Sequence, residues 1–249
     1  MGPVRSAVMW QAVVDATEIS QGDRVGGEGL TILDLGGGTG GDAVRLAGLG
    51  HRVTVVDPSP DALAALRRRA AEAGLADDAV TGVLGDTADL GDHVEPRSVD
   101  LVICHGVLEH VDDPATALAS LASVLRPGGH ASIVVAGRHA AILARALAGD
   151  FATAASLFGA TAAEWDVRVH GPRRFVPDEI ATLLAAHDLT PVATQALRVF
   201  SDLVPSALVD LEPGARASLY ELERLVRDDP AFSAISVGLQ TIARLDLNQ

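Results

Sequence analysis

Residues 32–41 read Ile-Leu-Asp-Leu-Gly-Gly-Gly-Thr-Gly-Gly, an apolar run that ends in a cluster of glycines. A buried strand that runs into glycines can turn sharply and bring its backbone against a ligand. Gly36, Gly38 and Gly41 satisfy the spacing G-x-G-x-x-G, while Gly36, Gly38 and Gly40 satisfy the shorter G-x-G-x-G. The stretch therefore predicts a strand, a tight turn and a nucleotide-like ligand, and it leaves the kind of nucleotide open.

Short apolar runs alternate with Ala-, Leu- and Arg-rich stretches through residue 136. We predict strands at 31–35, 53–57, 80–84, 99–104 and 131–136, and helices at 4–19, 40–49, 60–74 and 114–125. This alternation predicts βαβ units in an α/β, doubly wound parallel sheet. Beyond it we expect helices at 139–148, 177–187 and 214–227, strands near 190–200 and at 234–245, and an irregular segment from about 150 to 176.

We expect residues 1–249 to form a single domain. Its parts are an N-terminal helix and linker at 1–29, a cofactor-binding core at 30–136, a helix and lid at 137–176, and the C-terminal part of the sheet at 177–249. Long loops in compact domains are usually functional or mobile. The irregular segment is therefore the expected substrate lid.

Composition excludes several chemistries. All 19 basic residues are Arg, against 33 acidic residues, for a net charge of −14. Without Lys there is no Schiff-base chemistry and no phosphate loop of the G-x-x-x-x-G-K type. Cys104 is the single cysteine, so neither a disulfide framework nor a multi-cysteine zinc site is expected, and no metal site is predicted. No run approaches the ~18 apolar residues of a membrane span, which predicts a soluble cytoplasmic protein without membrane contact; the oligomeric state stays open.

The sequence blocks after the glycines narrow the choice of ligand class. Asp57 ends the second strand about 20 residues beyond Gly36, where a carboxylate takes ribose hydroxyls in dehydrogenases and methyltransferases alike. Four further blocks follow in order: Gly85-Asp86-Thr87, Asp100–Ile103, Val107–Val111 and Leu125–Gly129. Together they resemble the Rossmann-like class I methyltransferases that use S-adenosylmethionine. The resemblance implies a seven-stranded, mostly parallel doubly wound sheet with a lid between strands 5 and 6; a dehydrogenase remains the formal alternative.

A closer resemblance covers most of the chain. The blocks that carry it are Gly2-x-x-Arg5-x-Ala7-Val8-x-Trp10-Gln11, Cys104–Glu109, Gly149–Phe151, Leu197–Asp202 and Tyr220–Glu223. They are similar to the tRNA 5-carboxymethoxyuridine methyltransferases, which esterify the carboxylate of a wobble uridine. Carried over by position, the resemblance implies S-adenosyl-L-methionine contacts at Arg5, Gly36, Gly37, Gly38, Asp57, Asp86, Thr87 and His105. It also implies methyl transfer by in-line displacement.

The substrate side departs from that family. Arg173-Arg174 stands where the family has a run of lysines, and Ala136-Gly137 replaces an aromatic-Asn pair. A carboxylate acceptor is already ionised and needs only an Arg to orient it, so Arg198 and the Arg173-Arg174 pair are the candidates. A phenol or hydroxyl acceptor would need a base, for which the candidates are His105, His139 and His170. Arg198, Arg174 and His139 are therefore the predicted substrate-orienting or base residues.

Three functions stay open. The first is methylation of a tRNA wobble carboxylate, although a charge of −14 opposes a phosphate backbone and only residues 138–174 are locally basic. The second is a small-molecule O-methyltransferase acting on an acidic or aromatic metabolite. The third is a non-catalytic module that binds the cofactor. The partner is thus either tRNA or a small acidic metabolite.

Overall fold

The computed structural model describes residues 3–23, 29–160 and 165–246. Residues 24–28 of the predicted linker and 161–164 of the predicted lid lie outside these ranges, as does Gly2 of the opening block. The strands are β1 (Thr31–Leu35), β2 (Arg52–Asp57), β3 (Val80–Leu84), β4 (Val99–His105), β5 (Leu125–Ala136), β6 (Leu189–Leu197) and β7 (Gly238–Leu245). The helices are α1 (Pro3–Gly22), α2 (Gly41–Gly48), α3 (Pro60–Glu72), α4 (Leu90–His93), α5 (Pro114–Val124), α6 (Arg138–Leu147), α7 (Phe151–Gly159), α8 (Val167–His170), α9 (Pro177–Ala185), α10 (Ser206–Leu211), α11 (Ala215–Val226) and α12 (Pro230–Ile235).

The strands form a seven-stranded mixed sheet in the order β3-β2-β1-β4-β5-β7-β6. β1 pairs in parallel with both β2 and β4, so that Ile32 lies opposite Val53 on one side and Leu101 on the other. β2 pairs in parallel with β3. The chain thus winds outward from β1 in both directions, which confirms the predicted doubly wound α/β fold.

Local sequence accounts for where the helices begin. The Ser59 hydroxyl accepts the backbone N–H of Ala62 at 3.2 Å, and Pro60 occupies the first turn of α3. At α5 the carboxylate of Asp113 accepts the N–H groups of the two residues after Pro114. A side-chain cap followed by proline satisfies donors that the first helical turn leaves free. Both prolines therefore stand where the sequence predicted helix starts.

Several elements differ from the sequence predictions, and the short helices α4 and α10 were not predicted. The segment from 150 to 176 is not wholly irregular, because α7 and α8 lie within it and the Asp150 carboxylate caps α7 by accepting the N–H of Thr153. The last strand starts at Gly238 rather than 234, because Asp229 caps α12 just before it. β5 begins at Leu125, six residues earlier than predicted. None of the helices in the described ranges has the length and apolar character needed to cross a membrane.

Contacts between Cα atoms divide the chain into two compact units. The glycine-loop unit comprises Val13–Ile133, Leu183–Val192 and Ile242–Gln249. The arginine-cluster unit comprises Met1–Ala12, Val134–Thr182 and Ala193–Thr241. The single domain with the internal boundaries given above stays a prediction.

The core of the glycine-loop unit is apolar apart from a few paired groups. β1 and β4 are almost entirely buried, with Leu33 and Leu101 fully enclosed. Asp100, the second residue of β4, is only 4% exposed. One of its oxygens accepts the N–H of Thr31 at 2.7 Å, and the other lies 2.8 Å from Nη1 of Arg126. This carboxylate therefore joins the starts of β1 and β5 to β4.

Replacing Asp100 by Ala is expected to destabilise the protein by about 3 kcal/mol. The change leaves the Thr31 N–H and the Arg126 guanidinium without their buried acceptor. Urea unfolding followed by circular dichroism measures the effect. Asp92→Ala, which removes an exposed carboxylate of α4, is the matched control and should change stability by less than about 0.5 kcal/mol. Equal effects of the two substitutions would contradict the bracing role of Asp100.

Candidate functional site

A cavity of about 540 Å³ opens in the glycine-loop unit at the carboxyl ends of the parallel strands β1–β4. Its wall is formed by residues 35–36, 56–58, 86–88, 106–107, 110–113 and 116–117. In doubly wound sheets, ligands bind outside the carboxyl ends of the strands where the strand order reverses, here between β1 and β4. The volume is in the usual range for small-molecule sites.

The turn after β1 requires its glycines. Gly36, Gly38 and Gly40 have φ angles of 70°, 57° and 70°, in the left-handed region that side chains disfavour. A Cβ atom on Gly36 would lie 2.7 Å from Cγ2 of Val107, and one on Gly40 would overlap Leu66. The Gly36 N–H donates to the carbonyl of Val56 at 2.8 Å, which fixes the turn beside the end of β2. The backbone therefore forms the cavity wall here without any side chain.

Asp57, at the end of β2, is held in one orientation. Its Oδ2 accepts the N–H of Gly38 at 2.8 Å, and its Oδ1 accepts the N–H of Ser59 at 2.9 Å. The side chain is 7% exposed and lines the cavity. Each carboxylate oxygen can accept a further hydrogen bond beyond the one it already has. Asp57 can therefore receive two neighbouring hydroxyl groups of a ligand.

The loop after β3 supplies a second carboxylate. Asp86 Oδ1 accepts the N–H of Ala88 at 2.6 Å, and the Asp86 N–H donates to Asp89 Oδ1 at 2.7 Å. That backbone N–H, followed by the hydrogen bond from His93, holds the pKa of Asp89 below its ordinary value. Asp86 and Thr87 both line the cavity. The loop thus presents an acceptor to a ligand amino group.

Asp34 lies beneath the glycine turn. Burial raises the pKa of Asp34 to about 7, and the charges of Asp42 and Asp57 add to the effect. A Cβ atom on Gly37 would overlap the Asp34 carboxyl group, so Gly37 also cannot carry a side chain. The proton on Asp34 limits the negative charge next to Asp57 near neutral pH.

His105 is not among the residues that line the cavity, although Gly106 and Val107 are. Its Nε2 lies 2.8 Å from the Ser132 hydroxyl, and burial lowers its pKa to about 4. The ring is therefore neutral at physiological pH. A cofactor contact by His105 stays a prediction.

Arg5 and Arg198 share one carboxylate in the arginine-cluster unit. Arg5 Nε lies 2.5 Å from Asp202 Oδ1 and donates to the Ser201 carbonyl at 3.2 Å. Arg198 Nη2 lies 2.6 Å from Asp202 Oδ2. The structure therefore brings together a predicted cofactor residue and a predicted substrate residue, and their roles stay predictions.

The other two predicted substrate residues make separate contacts. His139 Nδ1 lies 3.0 Å from the carbonyl of Ala234, and the carbonyl of Arg174 accepts Nη2 of Arg138 at 3.1 Å. Arg138 itself is buried and pairs with both oxygens of Glu179 at 2.8 Å. Its guanidinium carbon also lies 5.4 Å from the ring centroid of Trp165. One positive charge of the basic segment 138–174, that of Arg138, is therefore buried and paired inside the fold.

The sequence reasoning missed the role of Glu223. This residue of α11 is 3% exposed. Its Oε2 accepts the N–H of Val199 at 2.9 Å, and its Oε1 accepts those of Phe200 and Ser201 at 3.0 and 2.7 Å. It thereby holds the loop that carries Arg198 and Asp202. Both ends of this contact lie in blocks that the sequence had marked, but only the fold shows that they meet.

The sequence also gave no individual roles to the cavity wall after β4. His110, Val111, Asp112 and Thr116 line the cavity there. The block 107–111 was the available signal, and its spacing alone does not show which side chains face the ligand. In the part of the chain that the structure describes, no group of three His, Cys, Asp or Glu side chains is placed to hold a metal ion.

Comparison with known proteins identifies the segment that carries the cavity. Residues 33–133 match the family described as a methyltransferase domain. The chain is 34% identical to the tRNA 5-carboxymethoxyuridine methyltransferase of Escherichia coli K12 over 154 residues, 60% of this chain and 55% of that protein. It is 36% identical to the ubiquinone biosynthesis O-methyltransferase of Methylocella silvestris over 169 residues, 66% of this chain and 59% of that protein.

The chain thus spans about half the length of the curated relatives that it matches. A solved structure, the 1,6-didemethyltoxoflavin-N1-methyltransferase of Burkholderia thailandensis with bound S-adenosylhomocysteine, superposes with a TM-score of 0.54 at 22% identity. It covers 94% of this chain and 78% of that chain. This likeness, with the strand order, confirms the Rossmann-like class I methyltransferase fold. The methyltransferase-domain match confirms the resemblance drawn from the sequence.

The raised pKa of Asp34 gives the protein a specific pH dependence. Native Asp34 holds its proton up to about pH 7, whereas the ordinary value is 3.8. The raised pKa therefore contributes its full stability to the native state below about pH 3.8. This contribution is lost as the pH rises through about 7. Asp34→Asn removes the ionisation while keeping the shape of the neutral acid.

Relative to Asp34→Asn, the wild type should lose stability between pH 4 and 7.5, by up to about 4 kcal/mol at 1.36 kcal/mol per pKa unit. Urea unfolding at several pH values measures the difference. Asp92→Asn, at an exposed position, should run parallel to the wild type. A wild-type curve parallel to that of Asp34→Asn would show that Asp34 is ionised throughout.

Proposed function

We propose that this protein is a methyltransferase that uses S-adenosyl-L-methionine. The observation that carries the proposal is the Asp57 carboxylate, fixed by two backbone N–H groups beside a side-chain-free glycine turn at a cavity of about 540 Å³. The methyltransferase-domain match at 33–133 and the S-adenosylhomocysteine bound to the Burkholderia enzyme support the choice of ligand.

The residues present suit an adenosyl group. We assign the two ribose hydroxyls to Asp57, whose oxygens retain acceptor capacity, and the adenine amino group to Asp86 beside Thr87. The backbone of Gly36–Gly38 would lie against the ligand; side chains on Gly36 and Gly37 would collide with Val107 and Asp34. A contact from His105, whose ring is neutral, stays a prediction because His105 does not line the cavity.

The bound cofactor would supply a methyl group on positively charged sulfur, an electrophile that needs no activation by the protein. The chain itself has to hold the acceptor in line and keep water away. A carboxylate acceptor arrives ionised, so no general base is required. The absence of a general base in this reaction is consistent with His105, whose pKa of about 4 makes it a weak base.

Replacing Asp57 by Ala should weaken S-adenosylhomocysteine binding about 30-fold or more, from the loss of about 2 kcal/mol of charge-assisted hydrogen bonding. Titration calorimetry measures the affinity. Asp61→Ala, an exposed carboxylate in the first turn of α3, is the matched control and should bind like the wild type. Tight NAD binding by the wild type, without S-adenosylhomocysteine binding, would favour a dehydrogenase and overturn the proposal.

We further propose that the methyl acceptor is a carboxylate. The E. coli relative is named for a carboxymethoxyuridine in tRNA, which supports this acceptor group. The net charge of −14 and the burial of Arg138 argue against a broad contact with RNA phosphates, and favour a small acidic metabolite as the source of the carboxylate. A phenolic acceptor is the second candidate, favoured by the Methylocella silvestris O-methyltransferase.

The chemical nature of the product separates these acceptors. Protein incubated with cell extract and methyl-labelled S-adenosylmethionine should yield a methyl ester, which mild alkali cleaves to labelled methanol. An alkali-stable label would contradict the carboxylate acceptor. Nuclease treatment before extraction shows whether the ester was on RNA, and RNA binding should weaken steeply with salt if tRNA is the substrate. Cofactor binding without any labelled product would favour the non-catalytic module.

A further inference from the structure

Helix α7, within the arginine-cluster unit, carries large apolar side chains on both its inward and its outward face. Its sequence, Phe-Ala-Thr-Ala-Ala-Ser-Leu-Phe-Gly, contains no charged residue. On the inward face Ala154 and Leu157 are buried, and Leu157 packs in one cluster with Trp165. A surface helix ordinarily has charged or polar residues opposite its buried face, and a helix that is apolar all round is ordinarily buried. The outward face of α7 therefore has the composition of a covered surface.

Two phenylalanines dominate this outward face. Phe151 is 71% exposed and Phe158 is 75% exposed, and Ala155 between them is exposed as well. Residues spaced i, i+4 and i+7 lie on one side of a helix. Because a whole aromatic side chain has about 200 Å² of surface, the two rings together expose about 300 Å². An apolar patch of that size on a soluble protein commonly marks a contact site.

The apolar surface continues onto α6. Leu147, the last residue of α6, is 76% exposed, and only residues 148–150 separate it from Phe151. Leu143, one turn earlier on the same side of α6, is also exposed. These leucines and the two phenylalanines supply much of the roughly 800 Å² that each partner buries in a stable protein–protein interface.

Charge favours a second copy of this chain as the occupant of the outward face. The net charge of −14 repels an anionic membrane surface or a nucleic acid, and α7 offers neither of them a cation. Two copies of the chain also repel each other over most of their surface. At this face the repulsion is absent, because α7 is uncharged and the charged groups where α6 meets α7, Arg145 and Asp150, pair with each other at 3.7 Å.

The order of residues on the outward face is self-complementary. Phe151 and Phe158 are equally far along the chain from the midpoint between Ala154 and Ala155, so an α7 helix running in the opposite direction presents the same pattern. A two-fold interface requires this property, since the same patch is used on both subunits.

We propose that α7 is the contact helix of a homodimer, in which the two α7 helices pack antiparallel about a two-fold axis near Ala155. Phe151 then lies beside Phe158 of the partner subunit, and the small side chain of Ala155 allows the two helix axes to approach closely. The dimer does not rest on the proposed methyltransferase activity.

Sedimentation equilibrium of the full chain tests the dimer. The wild type should be dimeric at a protein concentration of about 50 µM. Phe158→Glu places an unpaired charge in the interface, and should weaken dimerisation about 100-fold or more and leave a monomer at that concentration. Leu225→Glu, at an exposed position of α11, is the matched control and should stay dimeric. A monomeric wild type, or equal dissociation by the two substitutions, would overturn the proposal.

A cross-link tests the arrangement of the helices without depending on the loss of an interaction. The single cysteine, Cys104, is buried, so Ala155→Cys adds an exposed thiol to a chain that has no other. Oxidation by copper phenanthroline should join two copies of Ala155→Cys through a disulfide, seen as a dimer on a non-reducing gel. Leu225→Cys is the control and should stay monomeric on that gel. Equal cross-linking of both variants, or a dimeric Ala155→Cys that does not cross-link, would contradict the antiparallel packing of α7.

Vesicle flotation separates the homodimer from a lipid contact. The wild type should not float with phosphatidylcholine vesicles, because the partner subunit covers the phenylalanines. A monomeric wild type that floats with these vesicles, together with a Phe158→Glu variant that does not, would show that the outward face of α7 binds lipid and that the homodimer is wrong.

Discussion

The hydrogen bonds from Gly38 and Ser59 to the carboxylate of Asp57 are the contacts on which the candidate site depends. They tie the glycine turn after β1 to the end of β2, and they fix both oxygens of an acid that is nearly buried. The turn can approach so closely because no side chain occupies Gly36, Gly37 or Gly38. The Asp57 carboxylate is therefore already oriented before a ligand with two adjacent hydroxyls binds, so binding loses no side-chain entropy at this acceptor. The remaining cavity wall, from the loops after β3 and β4, encloses a volume suited to the rest of such a ligand.

The two units of the chain differ in how their charged groups are paired. The glycine-loop unit gathers Asp34, Asp42 and Asp57 near one another, and burial keeps Asp34 protonated up to about pH 7. In the arginine-cluster unit, by contrast, Arg138 is neutralised by Glu179, whereas Arg5 and Arg198 share a single aspartate. With a net charge of −14, the protein is poorly suited to binding a polyanion. A polyanion would need a wider basic surface.

Much of the fold could be predicted from the sequence because its signals are local. The glycines after β1, the position of Asp57 and the prolines that open α3 and α5 each act within a few residues. The errors were also local: Asp150 and Asp229 cap short helices that the pattern of hydrophobic runs does not indicate. The site was harder to predict, because the partners of Glu223 lie 22 to 24 residues away in the sequence, and Ser201, whose carbonyl accepts from Arg5, lies 196 residues away from it. Such contacts arise from the tertiary fold, and no periodic pattern in the sequence indicates them.

The most direct measurement is a crystal structure of the protein with S-adenosylhomocysteine. It should show both ribose hydroxyls within about 2.7 Å of the Asp57 oxygens, as expected for hydrogen bonds to a carboxylate. The adenine should lie in the cavity beside Asp86, with the Gly36–Gly38 backbone against the ligand. An adenosyl group bound elsewhere, or ribose hydroxyls that do not contact Asp57, would contradict the assignment of this cavity as the cofactor site.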